Sequence, residues 1–255
     1  MDISSNNNLN SKFLYITGAG GQSTNSLNIS TLSAIVACSY GLKILKHVSY
    51  DGVKKCSSID FLDALGIKIS KTIQDIENNV EKHSIAFIEA MPEHVLDNLC
   101  PLLAPVSQTT RFIGISDINC AMKYLFELKN KGYKRAMVVC SSSPLFDEIN
   151  ISGCSQIFEL IDGEIKNYVI TPVDFGIEEA DPISITGATP LYNSNLSRDI
   201  LNKKVAGSKL DVIAMNVGAM IYISGLADSL KKGIIEAYKC INSYKAADKL
   251  ESLRG

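Results

Sequence analysis

Phe13 to Thr17 is an apolar run of strand length that breaks at once into Gly18-Ala19-Gly20-Gly21, and this junction constrains the fold more than any other feature of the chain. A dense polar set follows: Ser23, Thr24, Asn25, Ser26, Asn28, Ser30 and Thr31. Then comes the largely apolar stretch Leu32 to Cys38. Asn28 to about Tyr40 reads as a helix stopped by Gly41, and Lys43-Ile44-Leu45-Lys46-His47 as the next strand. Strands joined through helices lie parallel in one sheet with helices on its faces. The expected class is therefore α/β, with a mostly parallel central sheet.

The same junction has a chemical consequence. Glycines let backbone N–H groups approach an anion with no Cβ in the way. A helix N-terminus adds donors and the positive end of a dipole. Strand, glycine turn, polar cluster and helix together form the grammar of a phosphate cradle. It is not a Walker A loop, because no Gly-Lys-Ser/Thr follows, and the spacing of a dinucleotide-binding fingerprint is absent.

The pattern continues along the chain. Ser57 or Ser58 begins a helix running to Leu65, closed by Gly66; Lys71 to about Lys82 is a further helix and Ile85 to Ile88 a strand. Prolines punctuate residues 90 to 110. Asp117 to about Lys129 reads as a helix, and Ala136 to Cys140 as a strand buried on both sides. Ile161-Asp162-Gly163-Glu164 is a hairpin turn between the strands Gln156–Leu160 and Ile165–Ile170. Helices over about Leu196–Lys203, Leu210–Ser224, Asp228–Tyr238 and Ala246–Leu253 complete the chain. The glycine loop, the loop after His47 and the loop after Cys140 all follow strands, so they can meet in one crevice. Residues 1–12 read as a flexible polar tail, and 13–255 as one α/β domain.

Composition removes several alternatives. A net charge of −2 gives no electrostatic footprint for nucleic acid, so phosphate binding must be local. The seven cysteines form no Cys-x-x-Cys pair and read as free thiols of a reducing compartment. The first residues lack the pattern of a signal peptide, and no apolar run approaches the ~20 residues that span a bilayer. The expectation is a cytoplasmic protein without membrane or nucleic-acid partners.

Asp147 and Glu148 follow the strand ending at Cys140. Adjacent carboxylates on a loop are usually a solvated acidic turn. Beside a phosphate cradle they gain a second meaning, as oxygen ligands for a Mg²⁺ that neutralises a polyphosphate. Lys46-His47 and Lys54-Lys55 flank the loop at residues 48–53 and offer positive charge and a donor. Arg111 and Arg198 are further anion partners without other support.

At this point the residues resemble a known family. GAGGQSTNSLNIST is similar to the Gly-Thr-Gly-Gly-Asp-Gly…Ser-x-Asn-x-Ser-Thr segment of the anthranilate phosphoribosyltransferases, and GLKILKHV to their Gly-Leu-Lys-Val-x-Lys-His-Gly. The order continues through Ser58-x-Asp60-x-Leu62, CPLLAP, GYKRAMVV before FDEINISG, DGEIKNYVITPVDFG and Met215-Asn216-Val217-Gly218-Ala219. The resemblance covers roughly residues 13 to 254 and extends to the wider nucleoside phosphorylase group. It implies transfer of a 5-phosphoribosyl group from 5-phosphoribosyl 1-diphosphate to an aromatic amine, with Mg²⁺, as in tryptophan biosynthesis. It also implies that Gly18, Gly20, Gly21, Asn28, Ser30, Thr31, Lys46, His47, Lys55 and Ser58 bind substrate and that Asp147 and Glu148 bind metal. No residue is assigned acid–base catalysis, since positioning suffices.

The departures from the family pattern are uneven. Ala19 and Gln22 replace the family's Thr and Asp, Val48-Ser49-Tyr50 replaces Gly-Asn-Arg, and Val53-Lys54 replaces tandem serines. The segment carrying the acceptor-carboxylate Arg has no counterpart between Ile88 and Leu99. The family's N-terminal helical domain is also without a match, which implies a homodimer or a partner chain in its place. The diphosphate half is retained and the acceptor half altered. The alternatives are thus the same scaffold acting on another nitrogenous acceptor, or a non-catalytic relative that binds a ligand or partner.

Overall fold

The computed structural model describes residues 13–18, 27–50, 55–89, 95, 105–115, 117–141 and 146–254. Residues 1–12, and with them the expected tail, lie outside this set, as do Gly20 and Gly21 of the glycine loop. A seven-stranded sheet runs in the order β3-β2-β1-β4-β5-β6-β7. Its strands are β1 (Phe13–Gly18), β2 (Lys43–Val48), β3 (Ile85–Glu89), β4 (Thr109–Gly114), β5 (Arg135–Ser141), β6 (Ser155–Ile161) and β7 (Glu164–Ile170). The first five are parallel, whereas β5-β6 and β6-β7 pair antiparallel. The fold is therefore α/β with a mostly parallel sheet and one antiparallel hairpin.

Eight α-helices lie among the described residues: α1 (Ile29–Tyr40), α2 (Ser58–Leu65), α3 (Ile73–His83), α4 (Ile118–Asn130), α5 (Pro190–Leu201), α6 (Ser208–Ile223), α7 (Leu230–Asn242) and α8 (Lys245–Ser252). The pleat sorts them onto two faces. Leu14 and Ile16 of β1, Ile44 of β2 and Phe112 of β4 join the main core with α1, α2 and α5–α8. Phe13, Tyr15 and Leu45 face α3, and Ile113 faces α4. Chain ends and caps follow local chemistry. Ser57 accepts from the Asp60 N–H while the Asp60 carboxylate takes the Ser57 N–H, a reciprocal cap that starts α2. Gly66 closes α2 with φ 78°. In the β6-β7 turn, Asp162 and Gly163 take φ 49° and 90°, the left-handed pair that a two-residue hairpin needs.

Two elements differ from the sequence expectation. Strand β4 lies at the end of the proline-punctuated segment, where no strand was expected. Its TTRFIG sequence places Arg111 in mid-strand, fully buried. That charge is accommodated because the guanidinium stacks 4.3 Å from the Tyr15 ring and donates to the Tyr124 hydroxyl at 3.1 Å. Helix α5 begins at Pro190 rather than Leu196, with Thr189 capping and proline at its first position, where a missing N–H costs nothing.

Candidate functional site

The strand order fixes where a ligand can sit. From β1 the chain steps outward to β2 and β3, then returns to lay β4 on the other side of β1. Helix α1, following β1, packs on one face, and α4, following β4, on the other. The strand order therefore reverses between β1 and β4, whose following helices lie on opposite faces, and the carboxyl ends of strands at such a switch point are where open α/β sheets take their ligands. Gly18 and Gly114 end the two strands and are paired in register.

The acidic pair lies on this floor. A Cβ built at Gly18 would lie 3.4 Å from Asp147 Oδ2, and one at Gly114 only 2.1 Å from the Asp147 carbonyl oxygen. Asp147 and Glu148 are both buried, so they are not a solvated surface turn. The following backbone is tied to α6: Asn216 Oδ1 accepts from the Ile149 N–H at 3.2 Å, and its Nδ2 donates to the Ile149 carbonyl at 2.8 Å. Asn150 N–H donates to Ser155 Oγ at 3.0 Å and continues the anchoring.

Lys46 comes from β2 on the same face and is 3% exposed. Its Nζ donates to the His47 carbonyl at 2.6 Å. Burial pushes its pKa down to about 8, opposed by the attraction of Glu148 and Asp147. The lysine is thus a buried cation facing both carboxylates. His47, next in sequence, points to the opposite face, where its ring meets Tyr15 edge-on at 5.4 Å. Burial, then the charges of Lys46 and Arg111, lower its pKa to about 4, so it is neutral at pH 7.

The N-terminus of α1 forms a second group. Asn28 stands at its cap position but gives no side-chain bond to the first turn. Its Oδ1 instead accepts from Asn193 Nδ2 of α5 at 2.9 Å and from the Cys56 thiol at 3.3 Å. The Asn28 side chain therefore does not cap the first turn of α1, and the Ile29 N–H is taken by the Leu27 carbonyl at 2.6 Å. Thr31 is buried and Ser30 half-buried in that turn. Ser58 Oγ is engaged with the Ser49 backbone, accepting at 2.8 Å and donating at 3.1 Å, and Lys55 is exposed.

The structure therefore joins Gly18, Lys46, Asp147 and Glu148 in one place and gathers Asn28 with the post-β2 segment. It turns His47 to the other side of the sheet. Three residues that sequence reasoning did not single out for the site hold it: Gly114, Asn193 and Asn216. Only Asn216 had a signal, within the Met215–Ala219 segment. Two adjacent carboxylates supply hard oxygen donors, and Gly18 puts no side chain beside Asp147 Oδ2, so the donor set fits Mg²⁺ shared with phosphate oxygens.

Comparisons with known proteins identify the family and the fold. Residues 10–96 and 95–247 match the model of the family described as glycosyl transferase family, a/b domain. The anthranilate phosphoribosyltransferase of Haloarcula marismortui is 34% identical over 93% of this chain and 76% of its own length. That of Staphylococcus aureus is 31% identical over 94% and 77%. Among solved structures, the anthranilate phosphoribosyltransferase of Thermus thermophilus superposes with a TM-score of 0.81 at 25% identity, covering 96% of this chain and 78% of that one. The Saccharomyces cerevisiae enzyme in complex with PRPP and Mg shares the fold at a TM-score of 0.77 and 24% identity, covering 95% and 72%. Among the described residues no helix is long and apolar enough to cross a membrane.

Proposed function

This chain belongs to the glycosyl transferase family, a/b domain type, with the anthranilate phosphoribosyltransferases as its relatives, and we propose that it transfers a 5-phosphoribosyl group from 5-phosphoribosyl 1-diphosphate to an aromatic amine. The observation that carries this reading is the seating of the buried Asp147-Glu148 pair on Gly18, at the start of the glycine loop. Lys46 supplies one positive charge against two buried carboxylates, and a diphosphate brought beside them adds a further need for a cation. The yeast relative's complex with PRPP and Mg is of the same kind.

In this reading the α1 N-terminus and the glycine loop hold the diphosphate through backbone N–H groups, with Ser30 and Thr31 beside them. Lys46 adds a positive charge from a buried position, where its interaction is little screened. Asp147 and Glu148 would hold Mg²⁺, which would supply positive charge to neutralise a diphosphate leaving group. The transfer forms a bond between the amine nitrogen and ribose C1 while the bond from C1 to the diphosphate oxygen breaks. The chain's residues stabilise the charge that leaves and align the two reactants. No side chain is required to transfer a proton in the step that breaks the C1–O bond.

Val48-Ser49-Tyr50, in place of the family's Gly-Asn-Arg, favours a second reading in which the acceptor is another nitrogenous compound. The test incubates the protein with 5-phosphoribosyl 1-diphosphate, Mg²⁺ and either anthranilate or a panel of aromatic amines and nucleobases, measuring diphosphate release. Release with anthranilate supports the first reading, and release only with another acceptor supports the second. No release at high protein concentration, with thermal stabilisation by the ligand retained, refutes both and leaves a binding protein.

A further inference from the structure

The acidic pair is held in place by residues of β1, β4 and α6. Asp147 lies across the ends of two adjacent strands, its carboxylate beside Gly18 and its carbonyl beside Gly114, and the two glycines are register partners. The approach at Gly114 is closer than any side chain tolerates. An added Cβ would meet the Asp147 carbonyl oxygen at 2.1 Å, its carbonyl carbon at 3.1 Å and its Cβ at 3.6 Å. Two of these three neighbours are main-chain atoms, so no rotamer change relieves the clash. Gly114 does not have positive φ, so the requirement for glycine here is one of space, not of backbone conformation.

Two residues further along, Asn216 exchanges two hydrogen bonds with the Ile149 backbone and fixes its own orientation by a third, from Nδ2 to the Val212 carbonyl at 2.8 Å. The side chain is fully buried. Its amide thus has one partner in its helix and reads both polar groups of a single residue in the loop. Glu148 is bracketed: the residue before it rests on Gly114 and the residue after it is gripped by Asn216.

We propose that Gly114 and Asn216 are positioning residues that together set where the Asp147 and Glu148 carboxylates stand relative to Gly18 at the end of β1. The inference rests on the reading of that pair as a Mg²⁺–diphosphate site. Substituting Gly114 by alanine must push the Asp147 carbonyl from 2.1 Å to roughly 3.3 Å, an ordinary carbon–oxygen approach. A displacement on the order of 1 Å at an oriented site is worth about 100-fold in function. Removing the Asn216 amide frees the other side of the loop without adding bulk.

The test measures Mn²⁺ binding in the presence of inorganic diphosphate, by electron paramagnetic resonance, on folded protein well below its melting temperature. Wild type is compared with Gly114→Ala, Asn216→Ala and Asp147→Asn/Glu148→Gln. Gly163→Ala serves as a control destabilised at the distant β6-β7 turn. The expected result is Mn²⁺ affinity at least 10-fold weaker in Gly114→Ala and Asn216→Ala, and unchanged in Gly163→Ala. Hydrogen exchange at the Ile149 amide, which needs no metal, is expected to accelerate in Asn216→Ala. If Gly114→Ala fails to fold, Asn216→Ala decides alone. Wild-type affinity in the folded positioning variants overturns the inference while leaving the metal reading intact. Equal binding by wild type and the double carboxylate variant, or none by wild type, overturns the metal reading and the inference with it.

Discussion

Helices α6 and α7 cross at two glycines, and Gly233→Ala tests how closely. The Cβ of alanine at 233 would stand 2.2 Å from the Gly218 carbonyl oxygen, 3.0 Å from its carbonyl carbon and 3.3 Å from its Cα. Seen from the other helix, a Cβ at Gly218 would lie 2.5 Å from Ile234 N and 2.6 Å from its Cα. The obstacles are backbone atoms, so the helices must part by roughly 1 Å to restore an ordinary carbon–oxygen contact. In an exposed helix the same change would stabilise by about 1 kcal/mol, the propensity advantage of alanine over glycine. Overpacking costs about 1–3 kcal/mol, and a rigid obstacle puts this site at the upper end or beyond. The balance is a net loss of about 2 kcal/mol. At about 2–4 °C per kcal/mol for a chain of this size, the melting temperature falls by about 4–8 °C.

The assay is urea unfolding at 25 °C, alongside a thermal scan, for Gly218→Ala, Gly233→Ala and the double variant. Both single changes obstruct the same crossing, so once one has separated the helices the second costs less. The double variant should therefore lose clearly less than the sum of the singles. A melting temperature raised by Gly233→Ala would refute the close-crossing argument, because it would mean that helix propensity alone governs the position. Strict additivity would also refute it, by showing that the two alanines do not share an obstacle.

Two pH effects follow from buried bases that titrate below their usual range. Lys46 has a folded pKa of about 8 against a usual 10.5, so its buried charge penalises the fold fully below pH 8, and the penalty fades between pH 8 and 10.5. Stability from this group should rise over that window while the diphosphate site loses a cation. Thermal stabilisation by Mg²⁺ and diphosphate should accordingly be smaller at pH 9 than at pH 7, and an equal shift at both would contradict the role given to Lys46. His47 is depressed from 6.5 to about 4 by burial, then by Lys46 and Arg111, so the unfolded chain binds the proton first as pH falls. The fold loses stability through this group between pH 6.5 and 4. In His47→Gln the urea midpoint should drop less across that range than in wild type, and parallel curves would discount the neutral buried imidazole.

Much of the architecture is legible because its signals are local. The β1–α1–β2 unit, the Ser57 cap, the Gly66 stop and the Asp162-Gly163 hairpin each depend on a few neighbouring residues, and all stand where the sequence puts them. Strand β4 is hidden because Arg111 breaks its apolar run, and the tyrosines that accept that charge come from β1, α4 and the residues after α4. Missing β4 also conceals the switch point, which exists only once β4 lies beside β1. Gly114 and Asn193 are illegible for the same reason, and Asn216 stands out only as part of the Met215–Ala219 segment, with nothing local to tie it to residue 149. A glycine that a distant carbonyl overlies looks like any strand-end glycine until the fold brings residue 147 to it.

The neighbouring residues Lys46 and His47 show what the pleat adds to a motif. As a dipeptide they read as one basic element beside a phosphate. In the sheet, Lys46 turns toward the main core and the acidic pair, and His47 toward Tyr15 and the α3 side. Asp147, Asn216 and α1 all lie with Lys46, so the proposed metal pair and the N-terminus of α1 belong to one face. A donor site of the proposed kind is anchored by the core packing of α1 and α6. The acceptor-side segments are where the chain departs most from its relatives, at Val48-Ser49-Tyr50 and between Ile88 and Leu99. In the proposed reading the diphosphate seat follows from the fold, whereas the choice of amine rests with connecting segments, where sequence varies most freely.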